Sequence, residues 1–118
     1  MLLSCETRGT LLVLTGLKAR VDAHNADDFK EQAREFLNTS TLDCALDLNR
    51  VNFMDSTGIS VLVSLLKYIG PDRRLELCSL TPPIRKTLRL TRLDTVFSIR
   101  ESVHKAELAQ TPKATGTT

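Results

Sequence analysis

Short apolar segments alternate with amphipathic segments along this chain, and that alternation limits its fold more than any other feature. The apolar segments have the length of buried strands, and the amphipathic ones repeat apolar side chains at helical spacing. Strands joined by helices across short links form βαβ crossovers. The predicted order is β-β-α-β-α-β-α-β-α, an α/β fold with a mixed sheet of four to five strands and about four helices. The predicted strands are 5–8, 11–14, 42–48, 74–80 and 95–99, and the helices follow residue 25 and span 58–69, 82–93 and 101–109.

Start and stop signals bound the predicted helices. Asn25 is placed to cap the first helix, because its side chain can accept a hydrogen bond from a free backbone N–H. The second helix ends at Gly70, before a proline. The third opens on prolines and spaces Ile84, Leu88 and Leu93 along one side. We therefore expect one domain over 1–109, followed by a disordered polar tail over 110–118 that has no means of packing.

Composition and charge exclude several classes of protein. The formal net charge of +2 and the 4% aromatic content do not suit a nucleic-acid surface. No apolar stretch approaches the length that spans a bilayer, and the first residues lack the form of a signal peptide. Cys5, Cys44 and Cys78 form no C-x-x-C pair and lie in apolar contexts, so we expect buried thiols. A cytoplasmic protein without a membrane or nucleic-acid partner is predicted.

One polar interruption separates two apolar runs between Val51 and Gly70. Asp55, Ser56, Thr57 and Gly58 stand at the break, and either Asp55 or Ser56 is placed to cap the helix that follows. Such a break is often no more than a capped turn. On a helical wheel the side chains of Ser60, Ser64 and Lys67 share the direction of Ser56 and form a narrow polar strip.

The opposite side of this helix is apolar over roughly 200° of the wheel, which is wider than one sheet face requires. Two interpretations of this extra apolar width remain open. A neighbouring helix covers the extra width, or the extra width is a surface for a partner.

Catalysis by Ser56 finds no support in the sequence. His24 and His104 are the two histidines, and no pattern sets either beside Ser56 as a base. A nucleophile elbow, a P-loop and a metal-ligand cluster are all missing, so no enzyme activity, metal or cofactor is predicted. A phosphate on Ser56 is a different case. A helix N-terminus tolerates an anion, and the added charge beside Asp55 would disturb a docked partner without unfolding the domain.

The stretch LDLNRVNFMDSTGISVLVSLLKYI resembles the core motif of STAS domains, specifically the bacterial anti-sigma-factor antagonists. The likeness runs from about Leu11 to Ala106 and is most specific over 51–69. It implies the STAS fold and a partner switch. In that switch the unphosphorylated antagonist binds an anti-sigma factor, which is also a serine kinase of the histidine-kinase-like ATPase fold, and so releases its client.

The resemblance also implies residue roles. The kinase would phosphorylate Ser56 with Mg-ATP, the phosphoprotein would dissociate, and a PP2C-type phosphatase would restore it. On this ground we expect Asp22, Asp55, Ser56, Thr57 and Gly58 to bind the partner, and the polar strip of the helical wheel adds Ser60, Ser64 and Lys67. The protein is expected to be a monomer. An alternative is a non-switching STAS subunit of a transporter complex or stress-sensing scaffold, docking through the broad apolar side of the 58–69 helix.

Two departures from the family pattern concern backbone geometry. About two additional residues, within LKAR at 17–20, precede Asp22 and put the loop that presents this aspartate in doubt. The family often has T-G-L where this chain has Thr91, Arg92 and Leu93. Without that glycine, a left-handed helix end is strained or is built otherwise.

Overall fold

A computed structural model describes residues 1–110, which form an α/β domain. Strands β1, β2, β4, β6 and β7 make one mixed sheet in the order β1-β2-β4-β6-β7. The β1–β2 pair is an antiparallel hairpin, and the other pairs are parallel. The predicted fold class is therefore confirmed. The bounds are β1 Leu3–Arg8, β2 Leu11–Gly16, β3 Arg20–Val21, α1 Ala26–Leu37, β4 Asp43–Asp47, β5 Phe53–Met54, α2 Ser56–Ile69, β6 Leu75–Cys78, α3 Pro82–Leu90, β7 Ser98–Arg100 and α4 Val103–Gln110.

The two faces of the sheet carry different layers. Because successive side chains of a strand point to opposite faces, Leu12 and Leu14 of β2 join the main core, and Leu11 and Val13 join a second one. Helices α1, α2 and α3 supply buried side chains to the main core. Helix α4 covers the second core with Val103 and Ala106. The Asp55–Gly58 segment at the start of α2 lies on the side of the sheet that carries these three helices.

Helix α1 covers the broad apolar side of α2. The two helices pack against each other, and Leu62, Leu65 and Ile69 of α2 lie in the same core as Phe29 and Leu37 of α1. The question left open by the helical wheel is thus answered: a neighbouring helix takes up the extra apolar width.

One predicted helix cap and several predicted element boundaries were wrong. Asn25 precedes α1, yet its side-chain oxygen accepts from the backbone N–H of Asp22 and caps no helical N–H group. The final strand begins at Ser98, since the preceding segment forms a 3-10 turn over Leu93–Thr95. Helix α4 reaches Gln110, one residue into the predicted tail, and 111–118 lie outside the described residues.

Helix α3 ends three residues earlier than predicted, at Leu90. Arg92 adopts a left-handed conformation with φ of 65°, which turns the chain out of the helix and into the 3-10 turn. Leu93 still packs partly buried against the core. The left-handed helix end is therefore kept with an arginine where the family pattern often has glycine.

The three cysteines are free thiols. Cys44 and Cys78 are buried, as predicted, whereas Cys5, also predicted to be buried, is half-buried on β1. Burial raises the pKa of the Cys44 and Cys78 thiols to about 12, so both are protonated and unreactive at neutral pH.

Replacing Arg92 with glycine should stabilise the domain, because a side chain with a Cβ is strained at this φ and glycine is not. Relief of about 1–2 kcal/mol of left-handed strain is partly offset by the greater freedom of glycine in the unfolded chain. We therefore expect Arg92→Gly to raise the free energy of unfolding by about 0.5–1 kcal/mol in urea denaturation. The matched control is Arg85→Gly, which also removes an exposed arginine but from inside α3, and should lower stability by about 1 kcal/mol. An Arg92→Gly protein no more stable than the parent would contradict this account of the helix end.

Candidate functional site

Asp55 begins α2 and caps it. Its backbone is extended, and its Oδ1 accepts a hydrogen bond of 3.0 Å from the N–H of Gly58. Its carbonyl oxygen accepts the first helical bond, from the N–H of Ile59 at 3.0 Å. Of the two cap candidates in the sequence, Asp55 thus takes the role, and Ser56 becomes the first residue of the helix.

The second oxygen of Asp55 reaches a different part of the chain. Its Oδ2 accepts a hydrogen bond of 3.0 Å from the backbone N–H of Ala23, in the loop between β3 and α1. The N–H of Gly58, with smaller contributions from other backbone N–H groups including that of Ala23, lowers the pKa of the Asp55 carboxyl below its usual value. At neutral pH the carboxylate is ionised and joins the first turn of α2 to this loop.

Gly58 lets the first turn of α2 lie against β3. A Cβ built at this position would come within 2.2 Å of the carbonyl oxygen of Val21. A backbone carbonyl in a strand has little freedom to move, so only glycine permits this approach. The contact sets the distance between Ser56 and the loop that carries Asp22.

Two very short strands, β3 before Asp22 and β5 before Asp55, also join the two segments. Residues Arg20–Val21 of β3 pair in parallel with Phe53–Met54 of β5. The Ala19 carbonyl oxygen accepts from the N–H groups of Asn52 and Phe53 at 2.9 and 3.2 Å. The Arg20 guanidinium stacks over the Phe53 ring, 4.0 Å from its centroid. Of the segment LKAR, residues 17–19 lie between β2 and β3, and Arg20 is the first residue of β3.

Asp22 organises the loop that follows β3. Its carbonyl oxygen accepts from the N–H groups of Asn25 and Ala26, and its Oδ1 accepts from the N–H of His24 at 3.0 Å. Its Oδ2 forms an ion pair of 3.3 Å with Arg20. Only 14% of the Asp22 side chain is exposed, so most of its carboxylate is used in shaping the loop.

The polar strip lies along the outer side of α2. Ser56, Thr57, Ser60 and Lys67 are exposed, and Ser64 is half-buried. Among residues 1–110 no side chain forms a hydrogen bond with the Ser56 hydroxyl. Gly58 is buried. The structure thus brings together Asp22, Asp55, Ser56, Thr57 and Gly58, whereas Ser60, Ser64 and Lys67 extend along the helix away from that group.

The Ser56 hydroxyl is exposed to solvent at the start of α2. His24 lies exposed in the β3–α1 loop, and within the described chain no hydrogen bond joins its ring to Ser56. The described residues contain no group of three histidines, cysteines or acidic residues that could hold a metal ion. They also contain no helix that is both long enough and apolar enough to cross a membrane.

Sequence reasoning missed the β3–β5 ladder, the second hydrogen bond of Asp55 and the stacking of Arg20 on Phe53. Strands of two residues carry no readable periodicity, because alternation needs at least four residues to be detected. The one available signal was Gly58, because a glycine inside a helical pattern lowers helix stability and is also the residue that permits a close approach of backbone.

The chain belongs to the STAS domain family, whose sequence model matches residues 3–106. The resemblance stated from the sequence is therefore confirmed. A curated relative, the anti-sigma F factor antagonist of Paenibacillus polymyxa, is 27% identical over 97 residues, covering 80% of this chain and 81% of the relative.

Solved structures share the fold. The anti-sigma-factor antagonist (STAS) domain protein from Planctomyces limnophilus has a TM-score of 0.83 at 21% identity, covering 91% of this chain and 96% of that one. The Bacillus cell fate determinant SpoIIAA, solved in its phosphorylated form, has a TM-score of 0.66 at 15% identity, covering 92% and 99% of the two chains.

Replacing Gly58 with alanine should destabilise the domain, although the same change in an ordinary helix stabilises it by about 1 kcal/mol. The added methyl group would collide with the Val21 carbonyl oxygen, so we expect Gly58→Ala to lower the free energy of unfolding by about 1–3 kcal/mol in urea. Ser60→Ala, an exposed position in the same helix, is the control and should change stability by less than about 0.5 kcal/mol. A Gly58→Ala protein as stable as the control would show that the close approach is not a constraint.

Proposed function

We propose that this protein is an anti-sigma-factor antagonist whose binding to an anti-sigma factor is switched by phosphorylation of Ser56. The unphosphorylated chain binds the anti-sigma factor and releases its client. Phosphorylation abolishes that binding. The observation that carries the proposal is the position of Ser56: its hydroxyl is exposed at the first residue of α2, beside a loop whose geometry Asp55 and Gly58 hold in place.

A phosphate on Ser56 suits this position energetically. The first turn of a helix favours negative charge, because its free N–H groups and the helix dipole point toward it. The fold therefore accommodates the modification. On the surface the phosphate adds about −1.5 to −2 charges beside the ionised Asp55, which is enough to repel a partner docked on the unmodified serine.

The partners follow from the same switch. The anti-sigma factor is also the serine kinase, of the histidine-kinase-like ATPase fold, and it uses Mg-ATP. A PP2C-type phosphatase removes the phosphate. We propose that the protein acts as a monomer in the cytoplasm. Asp22, Asp55, Thr57, Gly58, Ser60, Ser64 and Lys67 are assigned with Ser56 to the partner-binding surface.

The packing of α1 bears on the non-switching alternative. That alternative docks a transporter or scaffold subunit on the broad apolar side of α2, and α1 occupies this side in the folded domain. The exposed side of α2 is the polar strip, which favours the switch.

Phosphorylation by the cognate kinase should occur once per chain and at Ser56. Incubation with the kinase and Mg-ATP should add the mass of one phosphate, and Ser56→Ala should abolish the addition. Thr57→Ala removes the adjacent exposed hydroxyl, serves as the matched control, and should still accept the phosphate. Intact-mass and peptide-mapping spectrometry distinguish the outcomes; a phosphate mapped to another residue would overturn the assignment.

A negative charge at Ser56 should weaken binding while the fold is retained. We expect Ser56→Asp to change the free energy of unfolding by less than about 0.5 kcal/mol, because the site is exposed at a helix start. Its affinity for the anti-sigma factor, measured by calorimetry, should fall by at least about tenfold. Ser4→Asp introduces the same charge at an exposed position on β1 and should bind as the parent does. Equal affinities for the two variants would contradict the electrostatic account.

A further inference from the structure

Positive charge is concentrated in one segment of the chain. Residues 81–96 carry Arg85, Lys86, Arg89 and Arg92 and one acidic residue, Asp94. The whole chain has 16 basic and 14 acidic residues. The segment therefore has a formal charge of +3, whereas the rest of the chain, with 12 basic and 13 acidic residues, has a formal charge of −1. The basic character of the protein therefore comes from α3 and the residues just after it.

These four cations are exposed and have no carboxylate partner. Ion pairs elsewhere hold the side chains of arginines and lysines such as Arg8, Arg74 and Lys105. By contrast, no ion pair within residues 1–110 includes any of the four in this segment. Four cations with only one acidic residue, Asp94, in their segment repel one another, so an acidic partner would stabilise them.

Two apolar side chains are exposed in the same segment. Leu90 is 73% exposed at the end of α3, and Val96 is 53% exposed just after the 3-10 turn. A few apolar contacts with charged residues around them are typical of protein–protein interfaces. A helix that lies on a membrane instead needs its whole apolar side free, whereas Ile84 and Leu88 of α3 are in the core. The segment therefore fits a protein better than a lipid surface.

Helix α3 begins close to the segment that leads into α2 and Ser56. The Thr81 hydroxyl, at the N-cap position, donates a hydrogen bond of 2.7 Å to the carbonyl oxygen of Val51. Helix α3 also contacts β5, whose last residue lies two positions before Ser56 in the chain. One partner can thus contact both regions.

We propose that an acidic surface on the kinase that phosphorylates Ser56 docks on this basic face, which consists of Arg85, Lys86, Arg89 and Arg92 together with Leu90 and Val96. The inference rests on the proposed function and adds a second contact to it. Because the cations are exposed, their main effect is on the rate of encounter, and salt screens that effect. The exposed leucine adds a contact that salt does not screen.

Steady-state phosphorylation of Ser56 by the cognate kinase tests the basic face. The double variant Arg85→Gln with Arg89→Gln should raise KM by about tenfold at low ionic strength and leave kcat unchanged, since the cations steer encounter and do not touch the reacting atoms. The difference from the parent should shrink as salt is added. Leu90→Ser should raise KM at every salt concentration.

A matched control removes two cations from the opposite face of the sheet, with Arg8→Gln and Lys105→Gln, and should keep the parent KM. If the parent and the Arg85/Arg89 variant share one KM and one salt dependence while Ser56 is still phosphorylated, the basic face is not a kinase contact and the proposed function stands. If the kinase phosphorylates neither the parent nor the variant, the proposed function fails and this inference fails with it.

Sedimentation with phosphatidylserine vesicles tests a membrane as the partner of the basic face. Binding by the parent that is lost in the Arg85/Arg89 variant would assign the face to a membrane and overturn the proposal.

Discussion

The approach of α2 to the backbone of β3 is the contact on which the rest of the site depends. Gly58 stands against the Val21 carbonyl oxygen, and no other residue type fits there without moving the strand. Asp55 then joins the two segments with one oxygen on each, at the N–H groups of Gly58 and Ala23. A helix start and a loop that are 32 residues apart in the chain thus become one surface. The position of Ser56 relative to Asp22 follows from these two constraints.

Much of this arrangement could be predicted from the sequence, and the remainder depends on contacts between distant residues. The strand–helix order, the start of α2 and the polar strip follow from local periodicity and cap chemistry. The second hydrogen bond of Asp55 does not, since nothing near Asp55 indicates that Ala23 will lie opposite. Arg92 shows a different limit: a residue that rarely takes positive φ is held there because the chain must leave α3 and return to the sheet.

The proposed switch suits this fold because the residues that stabilise the domain and the residues proposed to bind the partner lie on different sides of α2. The broad apolar side of α2 is used against α1 and the sheet, and its outer side carries small polar residues. A phosphate at Ser56 changes the surface at a point where the helix already favours negative charge. Under the proposed switch, binding would change by a large factor while the core is undisturbed. The proposed contact of the basic face lies on the neighbouring helix α3 and the residues just after it, and the apolar side of α3 is likewise packed in the core.

An NMR titration tests most directly whether phosphorylation of Ser56 changes binding without changing the fold. The ¹⁵N-labelled chain, unmodified and singly phosphorylated, would be titrated with the anti-sigma factor. The account predicts well-dispersed spectra for both free forms, with shifts on phosphorylation confined to the β3–α1 loop, β5 and the start of α2. It also predicts that the signals of these segments broaden on titration in the unmodified form alone. Equal broadening in both forms, or loss of dispersion across the sheet on phosphorylation, would contradict it.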